Sequence, residues 1–286
     1  MSEKFVRLTG WRANGAVLIA GIVGVALTLG AGTAAAQVLG SQHDLSLGGG
    51  AQSTTGATTE VCVFCHTPHG ANTGASAPLW NKTLPTTTYQ RYSTLPSSTL
   101  DGGEAPVGSV SLACLSCHDG TQAMDVVINT PGSGGFNSGG IPISGGAIGV
   151  MVNPDDPANP GTPGPVPMLG TDLRDDHPIS IQYGGGGCSA TDVTCATLGD
   201  ADFNTPATAN INTVQAWWVN TAAGGGAGRQ KQDMILYTRT DGPAAQEEPF
   251  VECGSCHDPH ASTSTPVSFL RIDNTDSSIC LACHTK

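Results

Sequence analysis

One five-residue pattern occurs four times in this chain and constrains it more than any other feature: Cys62-Val-Phe-Cys65-His66, Cys114-Leu-Ser-Cys117-His118, Cys253-Gly-Ser-Cys256-His257 and Cys280-Leu-Ala-Cys283-His284. Two Cys three residues apart lie on one face of a helical turn, so both sulfurs can be joined to the same porphyrin edge. The His that follows then reaches the central iron from one side. The spacing predicts four covalently bound haem c groups, attached through these eight Cys, with His66, His118, His257 and His284 as the first iron ligands. The alternative is zinc held between paired Cys-x-x-Cys knuckles. Zinc asks for no His after the second Cys, and here every pair has one.

Composition explains why a cofactor is needed. Leu, Ile, Val and Phe number 19, 12, 19 and 6 of 286 residues, just under a fifth, while 39 Gly and 19 Pro crowd the chain. Glycine loses the most backbone freedom on folding, and so little aliphatic surface offsets that loss poorly. Porphyrins are expected to fill the interior.

Residues 1–36 are expected to be removed. Lys4, Arg7 and Arg12 form a positive region, residues 16–29 are apolar, and Ala34-Ala35-Ala36 precede Gln37. This reads as a secretory signal peptide, because the apolar run is shorter than the roughly 20 residues of a membrane span. A secreted product at the cell surface or outside the cell follows, with the periplasm as the alternative, and no membrane span in the mature chain. The formal net charge is -12, and removing the leader makes it more negative still. Such a balance disfavours nucleic acid as a partner.

The chain has eight His, of which four lie in the motifs, leaving His43, His69, His177 and His260. Four irons each have one vacant axial position, so the count predicts bis-His ligation throughout. Met124, Met151, Met168 or Met234 as a ligand is the alternative, at the cost of stranding a His. An iron closed on both faces has no place for substrate or oxygen. The expectation is therefore outer-sphere, low-potential electron transfer and not an enzyme. His69 and His260 each follow a motif His by three residues with a Pro between, too short a link to clasp one haem from both faces. Each must serve a second, nearby haem.

The chain repeats. His43-Asp-Leu-Ser, the block Cys62 to His69 and the motif at Cys114 are echoed by His177-Pro-Ile-Ser, the block Cys253 to His260 and the motif at Cys280. Within each half the reading assigns His69 to the haem of Cys114 and Cys117, and His260 to that of Cys280 and Cys283. His43 and His177 are left for the other two haems. The expected division is a first dihaem half over residues 37–130, a Gly/Pro-rich connection over 131–168 and a second dihaem half over 169–286.

These blocks, with Cys117-His118-Asp119-Gly120 and Phe269-Leu270-Arg271, resemble the doubled-CxxCH multihaem c-type cytochromes, and within them the tetrahaem subunits of extracellular cytochrome filaments. The resemblance implies mostly irregular coil with a few short helices wrapped around a stacked haem chain and little strand. It also implies a homo-oligomer, with other multihaem cytochromes or extracellular electron acceptors as partners. Some members complete a terminal haem with a His from the next subunit, and His43, near the mature N-terminus, is the candidate for that role. A soluble periplasmic electron shuttle and, more remotely, a multihaem reductase are the alternatives.

Between the motifs, short helices are expected around residues 112–117, 214–219 and 278–284. Residues 132–168 offer turns without periodicity. Trp217 and Trp218 read as core aromatics, and Cys188 and Cys195 as a local disulfide. Gly184 to Gly187 reads as a hinge or a close approach of backbone.

Overall fold

The computed structural model describes residues 38–47, 49, 58–132, 134–143, 149–151, 168–221, 228–261 and 269–286. The expected leader and most of the connecting segment lie outside them. Residues 36–286 form one compact unit.

The expectation of little strand is overturned. Among the described residues seven strands form two antiparallel sheets. The larger, in the order β3-β7-β6-β5-β4, joins β3 (Ile181–Gln182), β4 (Ala207–Ile211), β5 (Val214–Val219), β6 (Met234–Arg239) and β7 (Glu248–Val251). The smaller pairs β1 (Val126–Asn129) with β2 (Phe136–Pro142). β2 lies inside the stretch expected to hold only turns. Among the described residues the α-helices are α1 (Ser109–His118), α2 (Cys253–Cys256) and α3 (Ser278–Cys283). The helices expected at residues 112–117 and 278–284 are present.

The one expected at residues 214–219 is strand β5. Val-Gln-Ala-Trp-Trp-Val is rich in β-branched and aromatic side chains, and it pairs in register with β4 from Ala207 opposite Trp218 to Ile211 opposite Val214. The hairpin closes through Asn212 and Thr213, both at positive φ (49° and 69°), as a tight two-residue turn requires. Trp217 is fully buried and Trp218 nearly so. The inner face of this sheet packs Tyr183, Trp217, Met234 and Leu236 with Cys256 and Cys283 against it. A second cluster gathers Leu45, Val63, Phe64, Met124 and Met151 around Cys65 and Cys117. Motif cysteines thus border both cores.

Cys188 and Cys195 are disulfide-bonded. The adjoining Gly184 to Gly187 all take positive φ, and a Cβ on Gly187 would strike the Thr197 carbonyl, so this is a close approach of backbone. Among the described residues no helix is long and apolar enough to cross a membrane.

Candidate functional site

Each motif is held by local turns of the same kind. The His66 N–H donates to the Cys62 carbonyl (2.8 Å), that of His257 to Cys253 (3.1 Å) and that of His284 to Cys280 (2.9 Å). The second Cys and the residue after the His then clasp a remote segment. Asn81 N–H donates to Cys65 O (2.8 Å) and Thr67 N–H to Leu79 O (2.9 Å). Arg271 N–H donates to Cys256 O (2.9 Å) and Asp258 N–H to Phe269 O (2.8 Å). Asn204 and Thr285 complete the same clasp around Cys283 and Asp202, each at 2.8 Å. Leu79 and Phe269 both take positive φ (56° and 65°). The segment Leu79-Trp80-Asn81 is therefore the first-half counterpart of Phe269-Leu270-Arg271, an equivalence that sequence reading missed. Its only signal was a similar offset from the motif His.

The segments beneath the motifs are polar and tightly bonded. Asn81, fully buried, donates to Val63 O (2.6 Å) and Asn129 O (2.9 Å) and accepts from the Asn129 N–H (3.0 Å). The Lys82 ammonium, 1% exposed, donates to the carbonyls of Ala123, Met124 and Val126 at 3.2, 3.0 and 2.8 Å. Glu252 caps α2: Ser255 inside the motif accepts its N–H (2.9 Å), and its carboxylate accepts from Ser111 (2.5 Å), Ser180 (3.1 Å) and Arg239 (2.9 Å). Burial pushes the Glu252 carboxyl up, opposed by Ser111 and Arg239. Gly254 has no alternative, since a Cβ there would meet the Tyr237 hydroxyl. None of these supports carries a sequence signature.

No motif stands alone. Cys65 lies within electrostatic reach of Cys117, the Cys114 thiol lies against Cys253, and Cys256 lies within reach of Cys280 and Cys283. Burial pushes the Cys65 and Cys283 thiols to about 12 and Cys256 to about 11, so as free thiols they would be poor nucleophiles.

The histidines are paired. His43 and His118 have ring centroids 6.1 Å apart with planes at 79°, and His66 and His260 are 6.0 Å apart with planes at 18°. His177 lies within reach of His284, which lowers its pKa after burial. His43 is pushed down to about 4 by burial and by His118, and it stacks on Phe269 at 4.1 Å. His43 thus meets His118 of its own chain. His260 faces His66, across the halves, and not the motif at Cys280 as read from the sequence. His69 and His257 are both exposed.

Whether a haem iron suits these pairs can be tested on distance. A metal–imidazole bond is about 2 Å and a ring nitrogen lies about 1.1 Å from its centroid, so rings on opposite sides of one metal are about 6.3 Å apart. Both ring pairs fit that separation. Metal-ligating His also tends to engage its other nitrogen with a carbonyl or carboxylate. His66 Nδ1 lies 2.7 Å from Pro78 O, His177 Nδ1 3.0 Å from Pro178 O, and His260 Nδ1 3.5 Å from Asp258, whose carboxyl is held well below its usual range. Each leaves Nε2 for a metal. Among the described residues no three His, Cys, Asp or Glu converge on a bare ion. A porphyrin iron needs only two protein ligands.

Residues 242–286 match the family model described as the doubled CXXCH motif. No curated protein matches the chain. The matched stretch holds the third and fourth motifs, and it defines a c-type, covalently haem-binding feature of the electron-carrier kind. The first and second motifs repeat it at residues 62–69 and 114–118.

Proposed function

We propose that the protein is an exported tetrahaem c-type cytochrome that carries electrons through closely spaced, bis-His haems. The observation that carries this is the pair of ring separations near 6 Å, His43 with His118 and His66 with His260. Bound haem supplies a one-electron Fe(III)/Fe(II) couple. The chain's own residues do the rest. The eight motif Cys tether the porphyrin edges, and their contiguity from Cys65 to Cys283 keeps neighbouring tethers close. Pro78, Pro178 and Asp258 orient the imidazoles. Trp80, set edge-on to His66 at 6.2 Å, and Phe269, stacked on His43, flank those rings. A second protein ligand at each iron leaves no open coordination position, which favours electron transfer over reductase chemistry.

Mass spectrometry of purified holoprotein tests the count, and electron paramagnetic resonance tests the ligation. Four porphyrin adducts and wholly low-spin ferric iron are expected; fewer adducts or a high-spin centre in intact protein would reject the reading. Export rests on the leader pattern in residues 1–36, and N-terminal sequencing beginning at Gln37 is its test. End-to-end assembly into an extracellular filament rests on the motif resemblance and is tested by negative-stain imaging of native material. Compact monomers at high concentration would leave the periplasmic shuttle in its place.

A further inference from the structure

Resting on that haem reading, we propose that electrons cross between the two halves at one place, between the haem of Cys114 and Cys117 and the haem of Cys253 and Cys256, and that Ser111 is the positioning residue that sets those haems edge to edge. The step is a one-electron exchange: Fe(II) of one haem is oxidised to Fe(III) as Fe(III) of the other is reduced to Fe(II), with no bond made or broken.

The two motifs meet through their helices. α1 carries Cys114, Cys117 and His118, and α2 runs from Cys253 to Cys256. Ser111, fully buried in α1, accepts the Cys253 N–H (3.0 Å) and donates to the Glu252 carboxylate (2.5 Å). One hydroxyl thus holds both the residue that opens α2 and the residue that caps it. Ser111 and Cys114 are three positions apart, so they share a face of α1 within about 4.5 Å of rise. The start of α2 is therefore docked on the face that carries Cys114. The helices touch directly, since a Cβ on Gly254 would lie 3.2 Å from Val110 Cγ1. As thiols, Cys114 and Cys253 hydrogen-bond to each other.

Each of these two sulfurs becomes a thioether on the edge of its own porphyrin. Sulfurs in contact therefore bring the two edges within a few bonds of each other, whatever the tilt of either ring. The junction is also braced from outside. Arg239 donates to Glu252 (2.9 Å) and to the Pro106 carbonyl ahead of α1 (2.6 Å), and Ser180 donates to Glu252 (3.1 Å). Ser255 accepts the Glu252 N–H (2.9 Å). Buried hydrogen bonds to a charged group are strong and reinforce one another, so the joint is rigid. A fixed separation of edges is what electron exchange between two held cofactors requires. His260 facing His66 also joins the halves, but it sets a ring beside a ring, whereas Cys114 against Cys253 sets tether beside tether.

Nuclear Overhauser contacts in the reduced holoprotein, where low-spin haems are diamagnetic, decide the matter. The thioether protons joined to Cys114 should contact those joined to Cys253. Four low-spin haems without that contact, or with the Cys253 haem meeting the first half only at the haem of Cys62 and Cys65, would overturn the crossing while leaving the tetrahaem reading intact. A holoprotein without four low-spin haems would instead remove the underlying reading. Ser111→Ala tests the positioning role. It should keep four low-spin haems and the contacts within each half, weaken the Cys114-to-Cys253 contact, and slow electron exchange between those two haems several-fold in half-reduced samples. An unchanged contact and exchange rate in that variant would refute the role of Ser111. Should the variant fail to load haem, the contacts in the unaltered chain still decide where the halves meet.

Discussion

The ring of His43 stands 6.1 Å from that of His118, the two planes nearly perpendicular, although the residues are 75 positions apart in the chain. His43 is held there by Phe269 on its face and kept neutral by burial. A His43→Ala variant is expected to convert one low-spin iron of four to high spin, and added imidazole should restore it. Electron paramagnetic resonance at matched haem loading reads both. An unchanged spectrum in a monomeric variant would show that His43 is not a ligand.

Three backbone carbonyls receive the Lys82 ammonium in a site 1% exposed. Lys82→Met keeps the stem and deletes the donors, leaving buried carbonyls without their partner. Hydrogen bonds to a charged group contribute about 1.5 to 3 kcal/mol each, only part of it additive, so a loss of about 3 kcal/mol is expected by denaturant unfolding. Since Lys82 acts electrostatically on Cys65, the haem tethered there should also become harder to reduce in the variant. A redox titration showing all four potentials unmoved would contradict this.

Arg239 joins the sheet to α2 through Glu252 at 2.9 Å, and to α1's approach through the Pro106 carbonyl at 2.6 Å. Removing the guanidinium leaves a buried carboxylate unpaired, which typically costs about 3 to 5 kcal/mol. Arg239→Ala is therefore expected to lower the unfolding free energy by that order at neutral pH. The loss should depend on pH. Burial raises the folded pKa of Glu252, so the folded state favours its protonated form. For an acid shifted upward, stability is present below the unfolded value and lost as pH rises through the folded one. The deficit of Arg239→Ala should thus shrink on acidification toward pH 4 and grow above it. A deficit independent of pH would place the damage elsewhere than at Glu252.

Thr213 closes the β4–β5 hairpin at φ 69°, where a β-branched residue is strained. Thr213→Gly converts the turn to Asn-Gly, the sequence this geometry favours. A gain of about 0.5 to 1 kcal/mol is expected from thermal unfolding, with haem content unchanged. Destabilisation would mean that the Thr213 side chain makes contacts worth more than the strain.

What could be read from residues alone was whatever depends on short spacing. The turn that presents two Cys and a His, the helices ending at His118 and Cys283, the disulfide between Cys188 and Cys195 and the close approach at Gly184 to Gly187 are all set by neighbours within about ten residues. Strand was missed at Val214–Val219 because its two-residue turn lacks the usual Gly, and because alternation is weak where Trp217 and Trp218 are both buried. The brace under each motif was invisible for a different reason. Asn81, Lys82, Ser111 and Glu252 are ordinary polar residues whose importance comes from partners 13 to 141 positions away. Ligand pairing belongs to the same class. Eight His of one chemical kind allow many pairings, and local sequence ranks them by distance along the chain, which favours partners within a half. Only the packed molecule, where the doubled block of one half lies against that of the other, sets the His260 ring 6.0 Å from that of His66, because that proximity comes from contacts between the halves and not from spacing along the chain.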